Sequence, residues 1–189
     1  MPAEDTNPLL ESILSVLLKL VIWVPPVFLM ISKVEKKSPV TYIRLTLPSK
    51  KDWLWITAVL CSLLVYFSLL NKITGYEIQF ALNTDTWVNT FLIVGFTEEI
   101  VFRGYILNKF MERWTFWKAN VLTAALFVTI HFPAWYEEGV FTDCLHFGSI
   151  SLQIAVISLL LGWIYKKTSS LWPVIIIHSF YDLFTHMFL

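Results

Sequence analysis

Six acids, bases and hydrogen-bond donors are spaced along the second half of this sequence as water chemistry would need them. Glu98, Glu99 and Arg103 fall in TEEIVFRGY (97–105), His131 in ALFVTIHFPAW, and His178 with Asp182 in LWPVIIIHSFYDLF. A glutamate among apolar side chains gains proton affinity, which is the tuning a general base requires. Glu98 and His131 could hold a water between them, deprotonate it and deliver it to a carbonyl. His178 could then donate to the developing oxyanion, a large electrostatic contribution in such reactions. That chemistry is peptide hydrolysis without a protein nucleophile. No G-x-S-x-G elbow and no H-E-x-x-H helix occurs, so neither a serine hydrolase nor a zincin is indicated. Two histidines with two carboxylates could also ligate a divalent metal such as zinc with one open position, though no cofactor is required.

Helical geometry separates the three charges of the first motif. Glu99 and Arg103 are i,i+4 neighbours and are expected to pair. Glu98 lies about 100° further round an α-helix and must face something else. Asp182, four residues after His178, could fix that imidazole's tautomer. A purely structural packing network is the competing reading, but buried ion pairs seldom add stability. Phe127, taken alone, reads as core or lipid contact. His146 and His186 fall near the outer boundary, where no chemical role is expected.

The elements that must position these groups are membrane helices. The 189 residues are 57% hydrophobic and 15% charged, against roughly 45–50% and 25% for soluble domains. The apolar residues come in blocks of about twenty, long enough to cross a bilayer. An all-α fold follows: one membrane domain over 1–189, with six spans at about 9–32, 53–71, 87–107, 117–135, 148–165 and 171–189. Pro25-Pro26 should kink or break the first, and residues 33–52 read as a polar, interfacial connector. Cys61 and Cys144 suggest neither a disulfide nor a metal site. The acidic N-terminus argues against a cleaved signal peptide.

Charge sidedness orients the bundle. Eleven of the 14 Lys and Arg lie in the loops after spans one, three and five, and one, Lys72, lies in the others. By the positive-inside rule both termini are extracytoplasmic. Tryptophans 53, 55, 87, 114, 117, 135 and 172 fall at span ends, as in an aromatic belt. The partners implied are the lipid bilayer and a peptide or membrane-protein substrate, with no nucleic acid; the oligomeric state is open.

Charges at a membrane-helix centre cost about 2.5–3.5 kcal/mol each, so three in span three would cost roughly 8–10 kcal/mol if unpaired. Its Leu, Ile, Val and Phe residues return only about 3–7 kcal/mol, so compensation must come from a bundle. At about 1.5 Å per residue, Glu98 lies about 15 Å deep, His131 about 20 Å, His178 about 10 Å and Asp182 about 16 Å. All four fall close enough in depth to meet near mid-membrane.

Three ordered motifs carry a family resemblance. EEIVFR (98–103) matches E-E-x-x-x-R, FVTIH (127–131) matches F-x-x-x-H, and HSFYD (178–182) matches H-x-x-x-[N/D]. The intervening SLLLGWIYKKTSSLWPVIIIH is also similar. Residues 87–189 thus resemble the CAAX protease and bacteriocin-processing (CPBP, or Abi) intramembrane proteases, which include the type II CAAX prenyl endopeptidases. The resemblance implies that Glu98 and His131 activate water, that Glu99 and Arg103 support their helix, and that His178 and residue 182 form the oxyanion side. Prenyl endopeptidases usually carry Asn where this chain has Asp182, and an ionised Asp accepts rather than donates. The short chain points to a multi-pass protein of a bacterial cell membrane. An endopeptidase cutting near the cytoplasmic face is the leading expectation. A non-catalytic immunity or scaffold protein is the alternative, and a proton-coupled carrier lacks the inverted repeats it would need.

Overall fold

The computed structural model describes residues 8–75, 77–80, 83 and 86–188. The acidic Glu4 and Asp5, the loop residue Asp85 and the final Leu189 lie outside them, so the sequence readings on those residues go untested. Among the described residues all regular structure is helical.

Helix α1 (Pro8–Leu29) carries Pro25 and Pro26 inside it and passes into a π-helical turn, Met30–Val34. Each proline removes one backbone donor. The expected break is absent; helical backbone continues past the pair and shifts to wider pairing at Met30–Val34, the kind of adjustment that re-satisfies freed backbone groups in membrane helices. One turn, α2 (Pro39–Tyr42), interrupts the connector. Helix α3 (Lys50–Thr74) opens with a capping box between Ser49 and Asp52 and closes on Gly75, whose φ of 74° is natural only for glycine.

The acidic motif lies in one continuous helical run: a π segment Thr86–Val94, α4 (Gly95–Glu99), a second π segment Ile100–Leu107, and α5 (Asn108–Met111). Then come α6 (Phe116–Thr129), α7 (Phe132–Glu137), a 3₁₀ turn Val140–Thr142, α8 (Cys144–Thr168) and α9 (Trp172–Phe188). Asp143 caps α8 by accepting the amides of Leu145 and His146.

Among the described residues three helices are long and apolar enough to cross a membrane: Leu10–Val34, Lys50–Thr74 and Cys144–Thr168. The other three expected spans have a different form. Span three carries the motif charges and alternates between α and π pairing. Span four is not one helix, because Pro133 has no N–H to continue α6; the chain turns at Ile130–His131 and restarts as α7. Helix α9 has 17 residues, at the lower limit for a crossing.

Helix α9 packs centrally, against α3, α8 and the run from Thr86, while α6 packs on α8. Phe67 of α3 is sealed among Tyr181, Phe184 and Phe188 of α9. Gly162 of α8 lets Asn120 of α6 approach so closely that a Cβ there would collide with its amide. Asn120 uses that proximity to donate to the Leu159 carbonyl at 2.9 Å. Helix α1 is tied in by polar contacts: Lys19 donates to Asn89 at 2.7 Å, and Asn89 donates to Ser15 at 3.0 Å.

The connector is not merely interfacial. Ile43 is wholly buried, in contact with Gly104. The Leu171 amide donates to the Arg44 carbonyl, and the Ser170 hydroxyl to that of Thr46. Asn108 donates to Tyr165 at 2.7 Å, and Tyr165 donates to the Ile43 carbonyl at 3.3 Å. Outside this plug Lys109 pairs with Glu35 at 2.8 Å and Glu112 at 2.9 Å. Lys109 holds the exposed Glu112 carboxyl below its ordinary range. Cys61 and Cys144 are free and exposed.

Candidate active site

The expected ion pair is present and fully buried. Glu99 and Arg103 are both fully shielded from solvent, with Arg103 donating to Glu99 at 2.7 Å. The other guanidinium nitrogen donates to the Ser158 carbonyl at 2.9 Å and its hydroxyl at 2.7 Å. The face of the guanidinium lies 4.7 Å from the Phe127 ring, a cation–π contact. The charge is thus met by a carboxylate, a hydroxyl, a carbonyl and an aromatic face. These contacts offset much of the desolvation cost of a buried ion pair, although Nε of Arg103 and Oε2 of Glu99 are buried without a hydrogen-bond partner.

Glu99 serves two helices at once. The same carboxylate oxygen that accepts from Arg103 lies 2.8 Å from Nδ1 of His178 on α9, so Nδ1–H donates to it. The i,i+4 spacing offered Asp182 as one group that could fix this tautomer. Asp182 Oδ1 instead lies 3.5 Å from Nε2, the opposite ring nitrogen, and Glu98 Oε2 lies 3.9 Å from that same atom. Both exceed a direct hydrogen bond. His178 Nε2 therefore faces two carboxylates with its other side fixed.

His131 sits at the break between α6 and α7. Its Nδ1 is 2.8 Å from the carbonyl of Phe127 one turn earlier, so Nδ1–H donates there and Nε2 keeps a free lone pair. The interruption caused by Pro133 leaves that end of α6 able to turn His131 back on itself. Trp135, expected in the aromatic belt, is instead buried with its ring 5.6 Å from that imidazole. Phe127 packs at 5.3 Å from His131 and 5.7 Å from His178, spacing the two histidines apart.

Glu98, His131, His178 and Asp182 line one cavity of about 460 Å³. Glu98 reaches it because Thr90, Val94 and Glu98 recur every four residues along one face of the motif run. One oxygen each of Glu98 and Asp182 is buried without a partner, as expected of groups awaiting water or substrate. Glu99 and Arg103 stand behind this wall. Among the described residues no three His, Cys, Asp or Glu side chains are grouped to hold a metal ion.

Two features escaped sequence reasoning. Ser158 looks like any small residue of an apolar span, and nothing local marks it as an arginine partner. His146 and His186, expected to be uninvolved, both line the cavity, along with Ser149, Gln153 and Thr185. Their position near the outer boundary concealed this, although His186 follows Asp182 by one helical turn.

Comparison with known families matches residues 80–184 to the type II CAAX prenyl endopeptidase Rce1-like family. Curated proteins and solved structures give no match. The matched segment is more than half of the chain and contains every residue of the Glu98–Arg103, Phe127–His131 and His178–Asp182 motifs. The chain belongs to the type II CAAX prenyl endopeptidase Rce1-like family of intramembrane proteases.

Proposed function

We propose that this protein is a glutamate-dependent intramembrane endopeptidase in which Glu98 and His131 activate the attacking water. The observation that carries the reading is the convergence of Glu98, His131, His178 and Asp182 on one cavity, with Glu98 only 3.9 Å from His178. Water held by Glu98 and the free Nε2 of His131 gives up a proton to the carboxylate and attacks the scissile carbonyl. Glu98 then returns that proton to the departing amine. His178 donates from Nε2 to the oxyanion. Because its Nδ1–H is already engaged by Glu99, the donating ring carries both protons, and Glu98, Glu99 and Asp182 around it compensate the charge. Asp182 accepts in this scheme, as its difference from Asn requires.

In this reading the run Thr86–Met111, α6 with α7, and α9 complete a six-crossing bundle with the three long helices. The Lys- and Arg-rich loops are cytoplasmic and both termini extracytoplasmic, in a bacterial cell membrane. The substrate is a peptide or the terminal segment of a membrane protein.

The test is cleavage of a peptide library by purified protein in proteoliposomes. Glu98→Gln and His131→Ala should each lower turnover by about 10²–10⁴-fold while leaving the elution profile unchanged. Cleavage that persists in both variants overturns the mechanism. Chelator followed by zinc add-back decides whether the water is bare or metal-activated; bare water predicts unchanged rates.

A further inference from the structure

The ends of the catalytic cavity are built differently. Toward the Lys166–Lys167 end of α8 the wall is closed: Ile157 and Ser158 are buried, and beyond them Leu161, Ile164 and Tyr165 are sealed against the connector plug around Ile43. Toward the other end, exposure rises along the same helix. Ser149 and His146 are exposed, as is His186 in the last turn of α9. All three line the cavity. His146 lies about 30 Å along α8 from Lys166, at 1.5 Å per residue. Among the described residues, the exposed part of the cavity lining is thus on the face opposite the Lys- and Arg-rich loops, at the end of α8 capped by Asp143.

We infer that substrate enters through this histidine-rimmed mouth, on the face away from the basic loops, and that His146, Ser149, Gln153 and His186 are binding residues for it. This deepens the protease reading and reverses the sequence expectation of a site served from the cytoplasmic side. The mouth's chemistry suits an extended peptide backbone. Hydroxyl, amide and imidazole groups give donors and acceptors without fixed charge, and apolar Val94, Ile150 and Ile154 line the wall further in. Among the described residues that line the cavity none is Lys or Arg, so a free carboxylate finds no fixed cation there. The substrate class is an uncharged, extended stretch within a polypeptide, presented from the extracytoplasmic side if the basic loops are cytoplasmic.

Single-cysteine forms of the full chain test the route directly. With Cys61 and Cys144 replaced by alanine, Thr90→Cys reports on the cavity interior, Ser149→Cys on the mouth and Lys167→Cys on the basic face. A membrane-impermeant maleimide is applied to cells before and after permeabilisation. Thr90→Cys and Ser149→Cys should label under the same condition and Lys167→Cys under the other. A fully reversed pattern changes the orientation in the membrane but still supports the route. Labelling of Thr90→Cys together with Lys167→Cys overturns it. Native Cys144, exposed two residues before His146, reports on the mouth face without substitution at the site. In the cleavage assay, the adduct at Ser149→Cys should abolish activity and that at Lys167→Cys leave it unchanged; the opposite result also overturns the proposal. If wild type cleaves nothing, the protease reading falls, while the labelling still decides the route.

Discussion

Arg103 is the residue on which the site's geometry most depends, although it does not reach the cavity. It holds Glu99, and Glu99 holds His178. Arg103→Met should therefore leave the buried Glu99 carboxylate without its arginine, facing His178 alone, a loss of roughly 3–5 kcal/mol. The check is a fall in the thermal inactivation midpoint together with loss of cleavage. Adding Glu99→Gln should restore part of the stability, because the two residues form one unit, but not the activity, since His178 loses its charged anchor. The pair itself was legible, because i,i+4 spacing is a local property. Its supports were not: Ser158 lies 55 residues away, and only packing of α8 against the motif run brings it there. The two functions of Glu99 were hidden for the same reason.

At the scale of the element, the close contact of α6 with α8 rests on one missing side chain. Gly162→Ala must displace Asn120, and with it the bond to Leu159. Overpacking of this kind costs about 1–3 kcal/mol, measurable as a lower unfolding midpoint in detergent. Serine at the same position should cost at least as much. Apolar block length located the long helices α1, α3 and α8 to within a few residues. The π segments around the motif had no such signal, since pairing pattern follows from tertiary fit rather than from hydropathy. A uniform α-helix nevertheless placed Glu98 and Glu99 on separate faces, because the short α4 holds both. The break at His131 follows from Pro133, whose effect on backbone pairing outweighs the apolar continuity that suggested an unbroken span.

For the molecule as a whole, the connector packs against the basic end of the bundle, where Ile43 is wholly buried beside Gly104. Ile43→Ala should cost about 2–5 kcal/mol, as for other fully buried aliphatic truncations, with a lower unfolding midpoint. It should also let the impermeant reagent reach Thr90→Cys from the basic face. Charge patterning described residues 33–52 as polar and hence peripheral, yet one isoleucine within them is fully enclosed. Average composition hides a single anchoring side chain. The meeting of three motifs was suggested by depth, a one-dimensional quantity, whereas the direction of the opening needed neighbours that depth does not supply.

Helix α1 brings a practical consequence. Its apolar face meets surroundings rather than protein: Leu14, Leu17, Leu18, Val21 and Ile22 are all exposed. Lipid tails are as apolar as leucine and give no squeeze holding such a rod in place. The Lys19–Asn89–Ser15 clasp is then a polar fastening that holds it to the motif run. Where solubilisation admits moisture there, competing hydration loosens the clasp. Preparation in thin or short-chain micelles should shed this rod first, while the motif-bearing core stays assembled.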